Sequence, residues 1–389
     1  MVAANSSLGA AKSAKNDEFY TRYGDIEAEM NAYVEYDPDV FRDKTVLLPC
    51  DDPEWSNFTR YFATNFERFG LKKLVSTSYA QGAANRQLTL FEQESPLFDE
   101  SKHDAHGKLF TLTHDADGSG NIDTDDVVFS GYLEGDGDFR SQELRELRDE
   151  ADIIITNPPF SLFREFLDWI LEGGKKFVII GNQNAITYKE VFPLLKENRI
   201  WLGEPFPNGN AYFDLPEGAD GSGYSKSVYD PESNTVHFRN CRWFTNLDHD
   251  RRHQSLMLDT MEHNLKFNKK LRNKLEKDFG EVAYSKYDNY DAIEVPFTEC
   301  IPSDYDGVMG VPVTFLDTFN PEQFEIVGRD GDLDLSMTYP FFTPPEEERR
   351  EVYRRASKTW RIQNAYFVID GVARTSYKRL FIRALKGEQ

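Results

Sequence analysis

Cysteine is scarce in this 389-residue chain: Cys50, Cys241 and Cys300 are its three, with no CxxC pair and no His/Cys spacing for zinc. That excludes a disulfide framework and a structural zinc site, and reduced thiols are expected. Long apolar runs are missing too. A membrane span needs about 20 consecutive apolar residues, and the opening MVAANSSLGAAKSAKNDEF lacks the apolar core of a secretory signal. A soluble, cytoplasmic protein is expected. Positive charge is in deficit, with 45 Lys and Arg against 67 Asp and Glu and a net charge of −22. On a global count this argues against a phosphate-binding protein. What is present excludes disorder throughout: 39% of residues are hydrophobic and 14% aromatic, enough for a sizeable core, and domains of about 150 residues suggest roughly two.

The charge is unevenly spread. Residues 91–150 hold 17 acidic and 5 basic residues, over half of the net charge. From Arg374 to Lys386 there are five basic residues and no acid, Lys378 and Arg379 among them, and a looser basic run extends from Arg251 and Arg252 to Lys277. Each run suits contact with phosphates, and each is equally well read as a solvated helix face.

Hydrophobic patterning organises the chain. Residues 1–16 are small and polar and read as a mobile N-terminal arm. KTVLL at Lys44–Leu48 reads as a buried strand, Phe58, Tyr61, Phe62, Phe66 and Phe69 as one helical face closed by Gly70, and LKKLVST from Leu71 as the next strand. After an acidic, turn-rich excursion over residues 80–135, carrying short strands such as KLFTLT and DVVFSGY, the apolar strand DIIIT ends at Thr156. A helix with Phe163, Phe166, Leu167 and Ile170 follows, then the strand KFVII. Strand–helix–strand units imply a parallel sheet, and hence a doubly wound α/β domain over residues 17–203 with ligands at the carboxyl ends of its strands. Beyond residue 203, Pro, Gly, Asn and Tyr become frequent, and residues 204–389 read as a mixed, loop-rich region facing the substrate.

The chemistry-bearing motif is NPPF, Asn157-Pro158-Pro159-Phe160, directly after a buried strand. Two prolines remove two backbone donors and stiffen the turn, which leaves carbonyls to point into a cleft. An Asn side-chain oxygen and a proline carbonyl held together can grip the two hydrogens of a planar amine, and Phe160 can stack on the ring that carries it. The arrangement suits an extruded base. The plainer reading, a turn that merely stops a strand with Phe160 in the core, is left equally open by the residues alone.

Further blocks stand in order around it: DEFYT (Asp17, Glu18, Phe19, Tyr20, Thr21), CDDP (Cys50, Asp51, Asp52, Pro53) with SNF, GLKKL, GDGDFRS, TNPPFSLFRE, ITYKEVF, WLG, TNLD, YDNYDAI and GVMGVPVTFL. This series, from about residue 17 to about residue 335, resembles the EcoRI-type adenine-N6 DNA methyltransferases. The resemblance implies a Rossmann-like class I sheet, S-adenosylmethionine as cofactor, methyl transfer to a flipped adenine in duplex DNA, and a C-terminal target-recognition region. It also implies a monomer, a prokaryotic or phage source, and a possible cognate restriction endonuclease. DEFYT would lie over the methionine end of the cofactor, and CDDP would stand where other methyltransferases carry a glycine-rich loop. FxGxG is absent there, so Asp51 or Asp52 would hold the cofactor's ammonium group; helix capping is the competing role. Asp138 and Phe139 would meet the cofactor's adenine by hydrogen bond and stacking. Methyl transfer to another planar amine, in RNA or protein, and a DNA-binding relative that has lost catalysis are the rival functions.

Two weaker signals complete the reading. Asp115, Asp117, Ser119, Asp123 and Asp126 fit the spacing of a calcium loop, but the residues before them alternate like a strand instead of supplying an entering helix, so an acidic solvated turn is expected and no metal. Trp243 matches a strand flanking the target-base pocket by resemblance, with core packing as the alternative for an indole.

Overall fold

A computed structural model describes residues 20–51, 56–80, 95–103, 105–215, 225, 228–287, 290–330, 366–369, 372–375 and 378–385. They form two compact units, one within 1–191 and 200–250, the other within 192–199 and 251–389. The expected arm at 1–16 lies outside the described residues.

In the first unit, β1 (Tyr20–Thr21) leads into the helix Tyr23–Tyr36 and then β2 (Thr45–Leu48), whose four residues TVLL are all buried. The helix Asn57–Thr64 starts where Ser56 accepts from the Phe58 and Thr59 amides, and buries Phe58, Tyr61 and Phe62. A further turn, Phe66–Phe69, ends at Gly70 with φ +62°, the left-handed stop that glycine takes without strain. β3 (Lys73–Ser78) then runs parallel to β2, with Val46 opposite Leu74. On the other side of β2 lies β6 (Ile153–Thr156), also parallel, and after the helix Phe163–Glu172 comes β7 (Lys176–Asn182), parallel to β6. The parallel core therefore runs β3-β2-β6-β7, and the chain reverses its direction of travel across the sheet between β2 and β6.

Antiparallel strands complete both edges. β4 (Lys108–Leu112) and β5 (Val128–Tyr132), the short strands expected within the acidic excursion, form a hairpin laid against β3. At the far edge β12 (Cys241–Thr245) is inserted between β7 and β8 (Trp201–Leu202). The runs VHFRN and CRWFTN, expected in a separate region beyond residue 203, thus belong to this unit. All five residues of β12 are buried, and Trp243 lies stacked on Phe206 with ring centroids 5.4 Å apart. Trp243 is therefore a core residue and not a wall of a base pocket; burying an indole in a sheet interior is worth more than leaving it at a rim. A small second sheet, β1-β9-β11-β10, contains β9 (Asn210–Asp214), β10 (Tyr229–Asp230) and β11 (Thr235–Arg239).

The second unit is built on a mixed sheet, β13-β14-β18-β15. β13 (Ala292–Glu294) and β14 (Val308–Pro312) are parallel, and β18 (Arg379–Ala384), last in sequence, fills the gap between β14 and β15 (Phe324–Arg329). β16 (Tyr366–Ile369) and β17 (Val372–Thr375) pair as a hairpin. Arg379 is buried, and its guanidinium donates to Glu294, with Nε 2.9 Å from Oε2, while Tyr287 donates to the same carboxylate. This corrects the expectation that Arg379 meets phosphates: a buried guanidinium must keep its counter-ion, because an unpaired charge in the interior costs several kcal/mol.

Candidate active site

The carboxyl ends of β3, β2 and β6 carry the three loops that hold the sequence motifs, at the point where the strand order reverses. β2 runs into Pro49 and Cys50, and Cys50 sits at φ +61°. The Asp51 amide donates to the Thr77 carbonyl at 2.7 Å, and Ser76 Oγ donates to the Asp51 carbonyl at 2.5 Å, which fastens the turn to the end of β3. The Asp51 carboxylate is buried and accepts from Ser56 and, at 3.2 Å, from Thr59 Oγ1. Its acceptor capacity goes toward the start of the next helix, the capping role, and this counts against a direct grip on an ammonium group. Asp52 and Pro53 lie outside the described residues, as do Asp17, Glu18 and Phe19.

GDGDFRS lies on the end of β3. The Ala80 amide donates to the Asp136 carbonyl at 2.7 Å, and Gly137 has φ +87° with no room for a Cβ, which would stand 2.4 Å from the Ser78 carbonyl oxygen. Asp138 accepts from Arg140 Nε at 2.9 Å and from the Arg140 amide at 2.8 Å, and this guanidinium holds its carboxyl below the usual carboxylate range. Arg140 also reaches Glu165 at 3.1 Å, bridging this loop to the helix that follows NPPF. Phe139 departs from expectation. It is 2% exposed, edge-on to Phe166 at 5.0 Å and Trp169 at 5.8 Å, so it packs in the core instead of offering a face to a ligand.

NPPF follows β6, whose last residue Thr156 donates through Oγ1 to the Pro49 carbonyl at 2.7 Å and so ties this loop to the turn after β2. Pro158 is buried, while Asn157 and Phe160 are half-buried. The Pro159 carbonyl accepts from the Leu162 amide at 2.9 Å, which begins the next helix; among the described residues no donor reaches the Pro158 carbonyl. The Phe160 ring stands edge-on to Phe213 of β9 at 6.3 Å and Phe238 of β11 at 6.1 Å. Phe213 in turn pairs with Thr21 of β1, and the Thr21 carbonyl accepts from Asn57 Nδ2 at 2.9 Å. Tyr20, Thr21, Cys50, Asp51, Asp138 and Asn157 to Phe160 are thus joined by a continuous set of pairings. Sequence reasoning missed Phe213, Phe238 and the hydroxyls of Thr59 and Ser76; only Ser56, a cap residue before a helical run, left a local signal.

The cations expected to meet phosphates belong to the second unit. Arg252 is buried and donates to Asn198 Oδ1 at 2.5 Å, Arg251 is half-buried, Lys378 is exposed, and the Arg374 side chain lies outside the described residues. Arg252 is corrected as well: it is buried with its guanidinium held on the Asn198 amide oxygen, not open to a phosphate. In the β4–β5 connection, carboxylate oxygens of Asp115, Asp117 and Asp126 fall within 4.8 Å of one another. Asp115 accepts from the Gly118, Ser119 and Gly120 amides, and Asp126 from those of Ala116, Asp117 and Asp123. Ser119 Oγ donates to the Asn121 carbonyl, and Asp123 caps the short turn Thr124–Asp126. The loop joins two strands, not two helices, and its acids staple its own backbone.

A family model described as "Adenine-specific methyltransferase EcoRI" matches residues 7–384. The chain is 43% identical over 346 residues to the Type II methyltransferase M.EcoRI of Escherichia coli, an alignment spanning 87% of this chain and 95% of that protein. It is 34% identical over 328 residues to the Type II methyltransferase M.MpnI of Mycoplasma pneumoniae, covering 82% and 83% of the two chains. A third relative, M.MgeORF184P of Mycoplasma genitalium, is 33% identical over 326 residues, covering 82% and 84%. No solved structure matches the chain.

Proposed function

The chain belongs to the EcoRI adenine-specific methyltransferase family, and from that premise we propose that it methylates the N6 amine of an adenine flipped out of duplex DNA, with S-adenosylmethionine as donor. Family membership makes it an adenine-specific DNA methyltransferase of the restriction-modification type; the cofactor, the flipped base and the residue roles are our reading. The observation that carries the residue roles is the junction of the NPPF turn, through Thr156 and Pro49, with the turn after β2 at the reversal of strand order, where open α/β sheets bind their ligands. The parallel core, with antiparallel β12 slipped between β7 and β8, supports a Rossmann-like class I sheet.

The turn after β2 and the GDGDFRS loop, fastened to the end of β3 through Ala80 and Asp136, stand with β1 as the places where a cofactor of this kind would be held, with Tyr20, Thr21, Cys50 and Asp138 as its candidate contacts. When bound, S-adenosylmethionine supplies an electrophilic sulfonium methyl. Asp51 shapes its turn from behind, and Asp52 is the acid left to meet an ammonium group. On the substrate side, Asn157 Oδ1 and the Pro158 carbonyl accept the two amine hydrogens. This fixes the plane of the base and directs the nitrogen lone pair out of it. Phe160, steadied by Phe213 and Phe238, stacks on the ring. The amine proton leaves to water, and positioning carries most of the rate.

The test separates binding from transfer. Asn157→Ala should bind S-adenosylmethionine within about threefold of wild type by calorimetry, yet lose on the order of 10³-fold or more in transfer, the scale of losing an essential oriented contact. Wild-type transfer by this variant would remove Asn157 from the chemistry.

A further inference from the structure

Among the described residues of the second unit, the helix Lys269–Phe279 carries a basic surface whose cations are not already committed. Leu271 and Leu275 are its buried face, and Asn268 and Gly280 cap its ends. On the opposite side Lys269, Asn273 and Lys277 recur every four residues, a stripe about 12 Å long at the rise of an α-helix. All three are exposed, as are Arg272 on the flank and Lys266 just before the helix. Among the described residues no carboxylate pairs with Lys266, Lys269, Arg272 or Lys277, whereas Lys270 is paired with Glu299 at 2.6 Å and Lys274 with Asp278 at 2.7 Å. Lys266 lies over the ring of Phe267, which is 61% exposed. Among the described residues of this unit, Arg252 is committed to Asn198, Arg379 to Glu294 and Arg383 to Glu325. In a chain of net charge −22, a surface that keeps three such cations on this helix and a fourth, Lys266, on the helix before it is complementary to a polyanion.

We propose that the face bearing Lys266, Lys269, Arg272 and Lys277 lies along the phosphate backbone of duplex DNA and supplies sequence-independent affinity. The proposal rests on DNA being the substrate. Phosphate contacts position a duplex without reading its sequence, and each displaces condensed counter-ions. Its signature is therefore a salt dependence that needs no knowledge of the recognition site.

The experiment measures binding of the full chain to a 40-base-pair duplex of arbitrary sequence over a series of salt concentrations, with S-adenosylmethionine affinity measured alongside. In Lys269→Gln/Lys277→Gln the slope of log affinity against log salt should fall by about 2, at roughly 0.9 per phosphate. Affinity at 0.1 M salt should drop ten- to a hundredfold while cofactor affinity stays unchanged. The same loss of charge at exposed Lys72 and Lys102 should leave the slope alone. Glu276→Gln, which removes the acid beside the stripe, should tighten binding, a gain that misfolding cannot imitate. An unchanged slope in the double variant, with wild type binding DNA and transferring methyl normally, would overturn this inference and leave the proposed function standing. Wild type that neither binds DNA nor transfers methyl to it would overturn both.

Discussion

At Asp51 a carboxylate is surrounded by hydroxyls: Ser56 and Thr59 donate to it, and Ser76 donates to its own backbone carbonyl. The turn after β2 is thereby shaped by side-chain hydrogen bonds, and on the proposed reading these do the work that a glycine-rich loop would do through its backbone. Cys50 beside it makes the assignment testable. Burial pushes the Cys241 thiol up to about 12 and the Cys300 thiol up to about 11, so both stay protonated and unreactive at pH 8. Cys50 is half-exposed. Brief treatment of the folded protein with iodoacetamide at pH 8 should modify Cys50 first by peptide mapping, and S-adenosylmethionine should slow that modification several-fold; faster labelling of Cys241 would contradict the packing described. Local geometry was legible where it depends on neighbours in sequence, as for the donor-poor turn at Asn157 to Phe160 after a buried strand. They were not legible where burial decides. Phe139, Trp243, Arg252 and Arg379 carry side chains apt for a ligand, and each has its partner supplied by an element far along the chain.

Among the elements, the β4–β5 connection shows how an acidic stretch can be ordered by its own backbone. The buried Asp126 carboxylate accepts three amide hydrogens, first of them from Asp123, and these hold its carboxyl below the ordinary carboxylate range. A group depressed on folding contributes stability that is complete above the unfolded value, about 4, and is lost as pH falls through the folded one. Asp126→Asn should therefore melt lower than wild type at pH 7, by roughly 2–4 °C, with the difference shrinking as pH is lowered below about 4. A difference that persists unchanged at pH 2 would show that the carboxylate's charge is not what holds the loop. The parallel elements could be read from sequence, because KTVLL, LKKLVST, DIIIT and KFVII are apolar runs separated by amphipathic helices. The edges could not. CRWFTN joins the large sheet across roughly sixty residues from β7, and β18 enters the middle of its sheet from the far end of the chain; nothing local encodes such pairings.

For the whole molecule, a net charge of −22 stands against a polyanionic substrate, and its distribution reconciles the two. Over half of the excess lies in residues 91–150, within the first unit, while the second unit contains the helix Lys269–Phe279 with its unpaired cations. Composition therefore misleads on partners where placement does not. The central claim is that the NPPF turn grips an adenine amine in DNA for methyl transfer. It is tested most directly by incubating the protein with methyl-labelled S-adenosylmethionine and unmethylated plasmid, then digesting the DNA to nucleosides. The account predicts label in N6-methyladenine with wild type and none with Asn157→Ala. Label absent from adenine while the cofactor is bound, or equal label with both proteins, would contradict it.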